Sequence, residues 1–172
     1  MNRYCVIDFE TTGLSPTFSE VVEFAAVRVE QGEVGLYLTS LCRPHRPIPP
    51  GATKIHGITN EMVRVYAPFA EYLPTLLAFI DKDTVVAHNI PFDMGFLNRY
   101  CHEAKTPFAP KLLCTLRMAR ERYPFLHSRS LSVVAAHAGI QPPEDYHRAL
   151  GDAMTTARLL IHMLTENKEE TI

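Results

Sequence analysis

The chain has 172 residues, 47% of them hydrophobic and 21% charged, with a formal net charge of −2. That profile fits one ordinary globular domain with its own core and excludes a disordered, fibrous or strongly basic chain. With no global basic excess, a polyanionic partner would have to be met by local Lys and Arg clusters or by bound cations, so net charge neither supports nor excludes one.

Cys5, Cys42, Cys101 and Cys114 form no C-x-x-C pair, which argues against a zinc or redox motif. Cys5 lies in an apolar run and reads as a small buried hydrophobe. A reducing, cytoplasmic setting is the expectation. Asp8 interrupts the first apolar run, so no signal peptide is expected. No stretch approaches the ~20 apolar residues of a membrane span, and no membrane partner is expected.

Residues 4–10, with β-branched Val6 and Ile7, predict a first strand, and Gly13, Ser15 and Pro16 mark the turn after it. Residues 21–29 predict a second strand, and a turn at Gln31-Gly32-Glu33 leads to a third over about residues 35–42. Three strands in quick succession predict an antiparallel meander. Pro44 to Pro50 reads as a loop. Thr59 is placed to cap a short helix with Glu61 and Met62, and Leu73, Leu76, Leu77 and Ile80 recur at helical spacing in a helix from Pro68 to Ile80.

Thr84 to Ala87 predicts a short buried strand, after which Pro91 opens a helix through Phe92, Phe96 and Leu97. Leu112 to Thr115 predicts a further strand, followed by a helix to about Tyr123. Ser130 to Ala138 reads as a helix ended by Gly139. The last helix is expected from about Ala149 to Leu164, with Ala153, Ala157, Leu160, Ile161 and Leu164 facing inward. A single domain over residues 1–166 and a polar, frayed tail over 167–172 complete the chain. The alternation of strands and helices predicts an α/β fold: a mixed sheet covered by helices.

Three segments carry acidic residues of interest. Asp8 and Glu10 lie two apart on one strand, which places both on one sheet face with backbones ~6.6–6.8 Å apart. Two carboxylates on an inner face call for a positive partner, and a divalent cation with oxygen ligands is the simplest. Solubilising charges at an exposed strand end are the plain alternative. Asp93 falls on the first turn of a helix that follows a buried strand, where open α/β sheets place ligands. It also suits a simple dipole-complementing role there. Asp152 falls near the start of the last helix with His147 just before it. They read either as a metal ligand and a general base or as a dipole-friendly Asp and a surface His. Spacing alone does not bring the three segments together.

Taken together, D-F-E-T-T-G-L, A-H-N-I-P-F-D and H-R-A-L-G-D-A resemble the three exonuclease motifs of the DEDDh family. That family includes the proofreading subunit of bacterial replicative polymerase and exodeoxyribonuclease X. The resemblance runs from Tyr4 to about Leu164. It takes in the Val22–Val27 strand, the Ile55–Thr59 loop, Cys114–Arg120, and Ser130-Leu131 with Gly139-Ile140.

The resemblance implies a ribonuclease H-like fold, a five-stranded mixed sheet flanked by helices. It implies that Asp8, Glu10, Asp93 and Asp152 hold two divalent metal ions, Mg²⁺ or Mn²⁺, and that His147 is the base. The activity implied is 3′–5′ exonuclease action on DNA, preferably single-stranded, releasing nucleoside 5′-monophosphates. Thr11, Thr12, Gly13, Leu14, His56, Asn89 and Phe92 are the implied substrate contacts, with Leu14 a candidate wedge and Phe92 a candidate stacking ring. A DNA polymerase or a second copy in a homodimer are candidate partners besides the nucleic acid. The alternatives are an exoribonuclease of the same fold and a non-catalytic, polymerase-associated binding subunit. Arg117, Arg120, Arg122 and Arg129 form the densest basic stretch. They read first as a solvated helix face and second as a phosphate-steering patch.

Overall fold

The computed structural model describes residues 3–141 and 148–169. Strands β1 (Arg3–Thr11), β2 (Val21–Glu30) and β3 (Glu33–Leu41) come first. Helices α1 (Pro50–His56), α2 (Asn60–Val63) and α3 (Phe69–Ile80) follow. Then come β4 (Thr84–Ala87), α4 (Ile90–Glu103), β5 (Leu112–Cys114), α5 (Thr115–Arg122), α6 (Leu131–His137) and α7 (Ala149–Glu169). The five strands form one sheet in the order β3-β2-β1-β4-β5. The meander β1-β2-β3 is antiparallel, whereas β4 and β5 run parallel to β1. This is the five-stranded mixed sheet the sequence predicts.

Gln31 and Gly32, both at positive φ (56° and 81°), form the two-residue turn between β2 and β3. Such primed turns match the twist of a hairpin. Thr59 caps α2 by accepting the Met62 N–H at 3.3 Å. Gly57 and Gly139 end α1 and α6 in the left-handed region, where a Cβ is costly.

Side-chain alternation sends the two faces of the sheet into different cores. Cys5, Ile7, Phe9, Phe24, Ala26 and Val85 pack against α3 and α4. Val6, Ala25, Val27, Val29 and Val86 pack against Ala149, Ala153, Ala157 and Leu160 of α7. The opposite flank of α7, Leu159 and Met163, packs with α5 and α6. Asp83, just before β4, is buried between Arg3 and Arg28 at 3.0 and 3.2 Å. This ion triad pins the strand ends far from the carboxylates discussed below.

Two sequence expectations need correction. Residues 50–56 form a helix rather than continuing the Pro-rich loop: Pro50 supplies a preset φ in the first turn and Gly57 the stop. The last helix does not end near Leu164 but continues to Glu169. All four cysteines are free, with Cys5, Cys42 and Cys101 buried. Among the described residues no helix is long and apolar enough to cross a membrane.

Candidate active site

Asp8 and Glu10 extend the row begun by Tyr4 and Val6, so they point to the α7 face of the sheet. Asp152 lies in the first turn of α7. Each of Asp8, Glu10 and Asp152 offers a carboxylate oxygen within 4.8 Å of those of the other two. All three are half-buried. Two elements 140 residues apart in sequence thus bring three acids to one point.

Asp93 approaches the trio from α4. Pro91 fixes the opening turn of that helix, and Asp93 is buried there with its Oδ1 accepting the Phe9 N–H at 3.1 Å. The bond ties the head of α4 to the segment of β1 between Asp8 and Glu10. Asp93 lies outside the trio's 4.8 Å circle, yet among the neighbouring acids its charge acts most strongly on Asp8.

Burial dominates the electrostatics of the acids, and like charges add to it at Asp8 and Glu10. Burial, and then the charges of Asp93, Asp152, Glu10 and Glu23, push the Asp8 carboxyl well above the usual carboxylate range. Burial, followed by Asp152, Glu23 and Asp93, pushes Glu10 up to about 8, against some relief from Arg148. Burial raises Asp93 to about 8 despite the Phe9 N–H that it accepts. Carboxylates gathered at this density are stable in their charged form only beside a compensating positive charge. An all-oxygen, acidic donor set matches a hard divalent cation. The residues present therefore fit such an ion.

Glu23 is a component that the sequence reading treated only as part of a strand. It pairs in register with Glu10 across β1 and β2 and is buried. Arg148 grips it through Nη2 at 2.6 Å and Nε at 2.9 Å. Its Oε2 also accepts the Ala149 N–H at 2.9 Å. The clamp fastens the start of α7 to the sheet and so sets where Asp152 stands. The available signal was a charge inside the apolar run of residues 21–27, since a buried carboxylate requires partners.

Thr11 through Leu14 follow directly from Glu10. Thr11 is buried, and its hydroxyl donates to the Gly13 carbonyl at 2.7 Å. Thr12 Oγ1 accepts the Glu20 N–H at 2.9 Å. A Cβ on Gly13 would stand 2.7 Å from Ser19 Oγ, so a larger residue there would require the Ser19 side chain to shift. Leu14 is 84% exposed, which removes core packing as its explanation.

His56 is buried and accepts the Ile58 N–H at Nδ1, 3.0 Å. Its proton therefore resides on Nε2, on the side of the Thr11 backbone, and burial holds its pKa below the ordinary value. His56 thus supports the loop after β1 from within. Asn89 is exposed and left-handed (φ 85°) at the junction of β4 and α4. Phe92 is half-buried and packs on Phe96 with ring centroids 5.2 Å apart. His88 is satisfied at both nitrogens, by Thr115 Oγ1 at 3.0 Å and the Arg129 carbonyl at 2.8 Å. His147, the expected base, lies outside the described residues.

Known proteins resemble this chain along nearly its whole length. The exonuclease family model matches residues 5–160. The epsilon subunit of DNA polymerase III from Aquifex aeolicus is 38% identical over 164 residues, covering 95% of this chain and 81% of the relative. The PolC-type DNA polymerase III of Clostridium perfringens is 34% identical over 169 residues, covering 98% of this chain. There the chain spans only 12% of the relative's length.

Among solved structures, exonuclease X in complex with 5′ overhanging duplex DNA superposes with a TM-score of 0.79 at 31% identity, covering 96% of this chain and 93% of that one. The nuclease domain of 3′hExo, a DEDDh family member bound to rAMP, shares the fold at a TM-score of 0.82 and 22% identity, covering 96% and 92%. With three acidic motifs in order and a ribonuclease H-like sheet beneath them, the chain belongs to the exonuclease family, of the DEDDh type.

Proposed function

We propose that this chain is a metal-dependent 3′–5′ exonuclease that removes nucleoside 5′-monophosphates from DNA ends, with single strands preferred. The observation that carries the reading is the meeting of Asp8, Glu10 and Asp152 within 4.8 Å, with Asp93 anchored beside them. Asp8, Glu10, Asp93 and Asp152 are the residues that would hold two divalent ions. Such ions, when bound, lower the pKa of an attacking water and stabilise the charge on the leaving 3′ oxygen.

The protein's own part is to position and to shuttle a proton. The Glu23–Arg148 clamp holds α7 so that Asp152 faces Glu10. The Asp93–Phe9 bond fixes α4 against β1. His147 takes the proton from the attacking water; a histidine near neutral pH suits that task, and its place in the H-R-A-L-G-D-A motif supports the role. Thr11, Thr12 and Gly13 form a tight loop whose backbone receives the terminal nucleotide, with His56 behind it. Leu14, exposed beside the carboxylates, wedges against the terminal base, and Phe92 and Asn89 line the opposite side.

The domain spans residues 1–166 and works in the cytoplasm. The likeness to an epsilon subunit supports association with a DNA polymerase, and a freestanding or homodimeric enzyme is the other arrangement.

The test is a timed digest of 3′- and 5′-labelled single-stranded DNA, with matched RNA alongside, run with Mn²⁺, with chelator, and with Asp8→Ala. Shortening from the 3′ end that needs both metal and Asp8 supports the proposal. Internal cuts, or full activity in chelator, refute it. Faster loss of the RNA would reassign the substrate.

A further inference from the structure

A cavity opens at the same end of the sheet, and the reaction as described makes no use of it. It measures about 400 Å³, and its walls include His88, Arg120, His127, Ser128, Arg129 and Ser130. Strand register fixes its place. Val6 pairs with Val86, and Val86 with Leu113. All three pack on the α7 side of the sheet. His88 follows the C-terminal end of β4 and Thr115 that of β5, at the end of the sheet where the parallel strand β1 carries Asp8 and Glu10. Adjacent strands are ~4.8 Å apart. The cavity wall at His88 therefore follows β4, the strand next to the one that carries Asp8.

The chemistry of the wall is opposite to that of the carboxylate site. It presents two guanidinium groups and two serine hydroxyls, and no carboxylate. Arg120 is exposed on α5 and makes no ion pair among the described residues. The nearby acid Glu121 is taken by Arg117 at 3.8 Å. Arg129 Nη2 donates to the Pro124 carbonyl at 2.5 Å, and the Arg129 carbonyl accepts from His88 Nε2. These bonds hold the segment before α6 against the end of β4. Ser128 Oγ accepts the Ser130 N–H at 3.2 Å, which leaves its own proton for an anion. Burial, together with the Arg120 charge, disfavours the protonated form of His88, so His88 serves as a strut and not as a third cation.

We propose that this cavity binds a backbone phosphate on the 5′ side of the scissile bond, with Arg120 and Arg129 as charged donors and Ser128 and Ser130 as hydroxyl donors. Planar guanidinium forks suit phosphate oxygens, and the cavity opens beyond β4, the strand next to the one that carries Asp8. The inference rests on the nuclease reading above. It also accounts for how a chain of net charge −2 holds a polyanion: the positive charge is local.

The test compares two substrates. A 5′-hydroxyl dinucleoside monophosphate contains only the scissile phosphate, whereas a single-stranded oligonucleotide also offers phosphates to the cavity. Arg120→Gln is expected to reduce kcat/KM for the oligonucleotide at least about fivefold more than for the dinucleoside. The loss should fall chiefly in KM, and the salt slope of oligonucleotide binding should drop by ~0.7–1. Arg117→Gln, the same charge change on the same helix but outside the cavity, should leave that substrate ratio at the wild-type value. Equal losses on both substrates, no loss on either, or an equal effect of Arg117→Gln would overturn the cavity assignment while leaving the nuclease reading intact. A wild-type protein inactive on both substrates in Mn²⁺ would remove the nuclease reading and this inference with it.

Discussion

Replacing Glu10 with glutamine should stabilise the metal-free protein while abolishing the activity proposed for it. Glu10 titrates near 8 in the folded chain instead of 4.5. Between those values the folded state binds more protons than the unfolded state, so stability falls as pH rises through the window and levels off above it. At ~1.4 kcal/mol per unit the shift sets a ceiling of ~5 kcal/mol. Sharing of protons with Asp8 and Asp93, together with partial exposure, reduces the expected gain to about 1–2 kcal/mol. For a domain of this length that corresponds to a Tm increase of about 2–8 °C.

The assay is thermal unfolding in chelator at about pH 9 and about pH 4, where the gain should be present and absent respectively. Adding Mn²⁺ at the higher pH should reverse the order, because the wild type gains more from the ion than the variant does. A Glu10→Gln protein no more stable than wild type at high pH in chelator would refute the picture of uncompensated carboxylate crowding.

Three further outcomes are expected. Glu23→Ala leaves Arg148 without its carboxylate and Ala149 without its acceptor, so it should cost about 3 kcal/mol and raise the Mn²⁺ concentration needed for half-maximal thermal stabilisation. Glu23→Gln, which retains an acceptor for Ala149, should do less of both. Asp83→Ala breaks the Arg3–Asp83–Arg28 triad and should cost about 2–3 kcal/mol, while kcat measured well below the unfolding temperature stays at the wild-type value. The pH–rate profile should lose activity on the acid side as histidine protonates near ~6.5, and His147→Ala should flatten that limb. A limb that persists in the variant would assign the proton transfer elsewhere.

Much of this arrangement can be read from local rules. Period-two alternation predicts that Asp8 and Glu10 share a face, because Val6 and Ile7 identify the strand. Pro91 announces the helix that carries Asp93, and the apolar stripe of Ala153, Ala157 and Leu160 identifies the helix that carries Asp152. Their meeting point is not local. It depends on β4 pairing parallel to β1 and on α7 crossing the sheet face that holds Val6, which no spacing encodes; the motif resemblance supplied that link. Nothing local marks Glu23 within the apolar run of residues 21–27, because its partner Arg148 is 125 residues away. Helix α1 was missed because Pro49-Pro50 reads as a breaker before it reads as a first turn. The basic stretch divides in a way that composition cannot reveal: Arg117 pairs with Glu121 on the surface, while Arg120 and Arg129 line one cavity.

In the proposed function, four carboxylates hold divalent ions at the end of β1. Anomalous diffraction from crystals soaked in Mn²⁺ tests it without recourse to activity. Two peaks ~3.5–4 Å apart among Asp8, Glu10, Asp93 and Asp152, absent in Asp8→Ala crystals, are predicted. A map without density among those side chains, or with the ion bound elsewhere on the domain, would contradict the account.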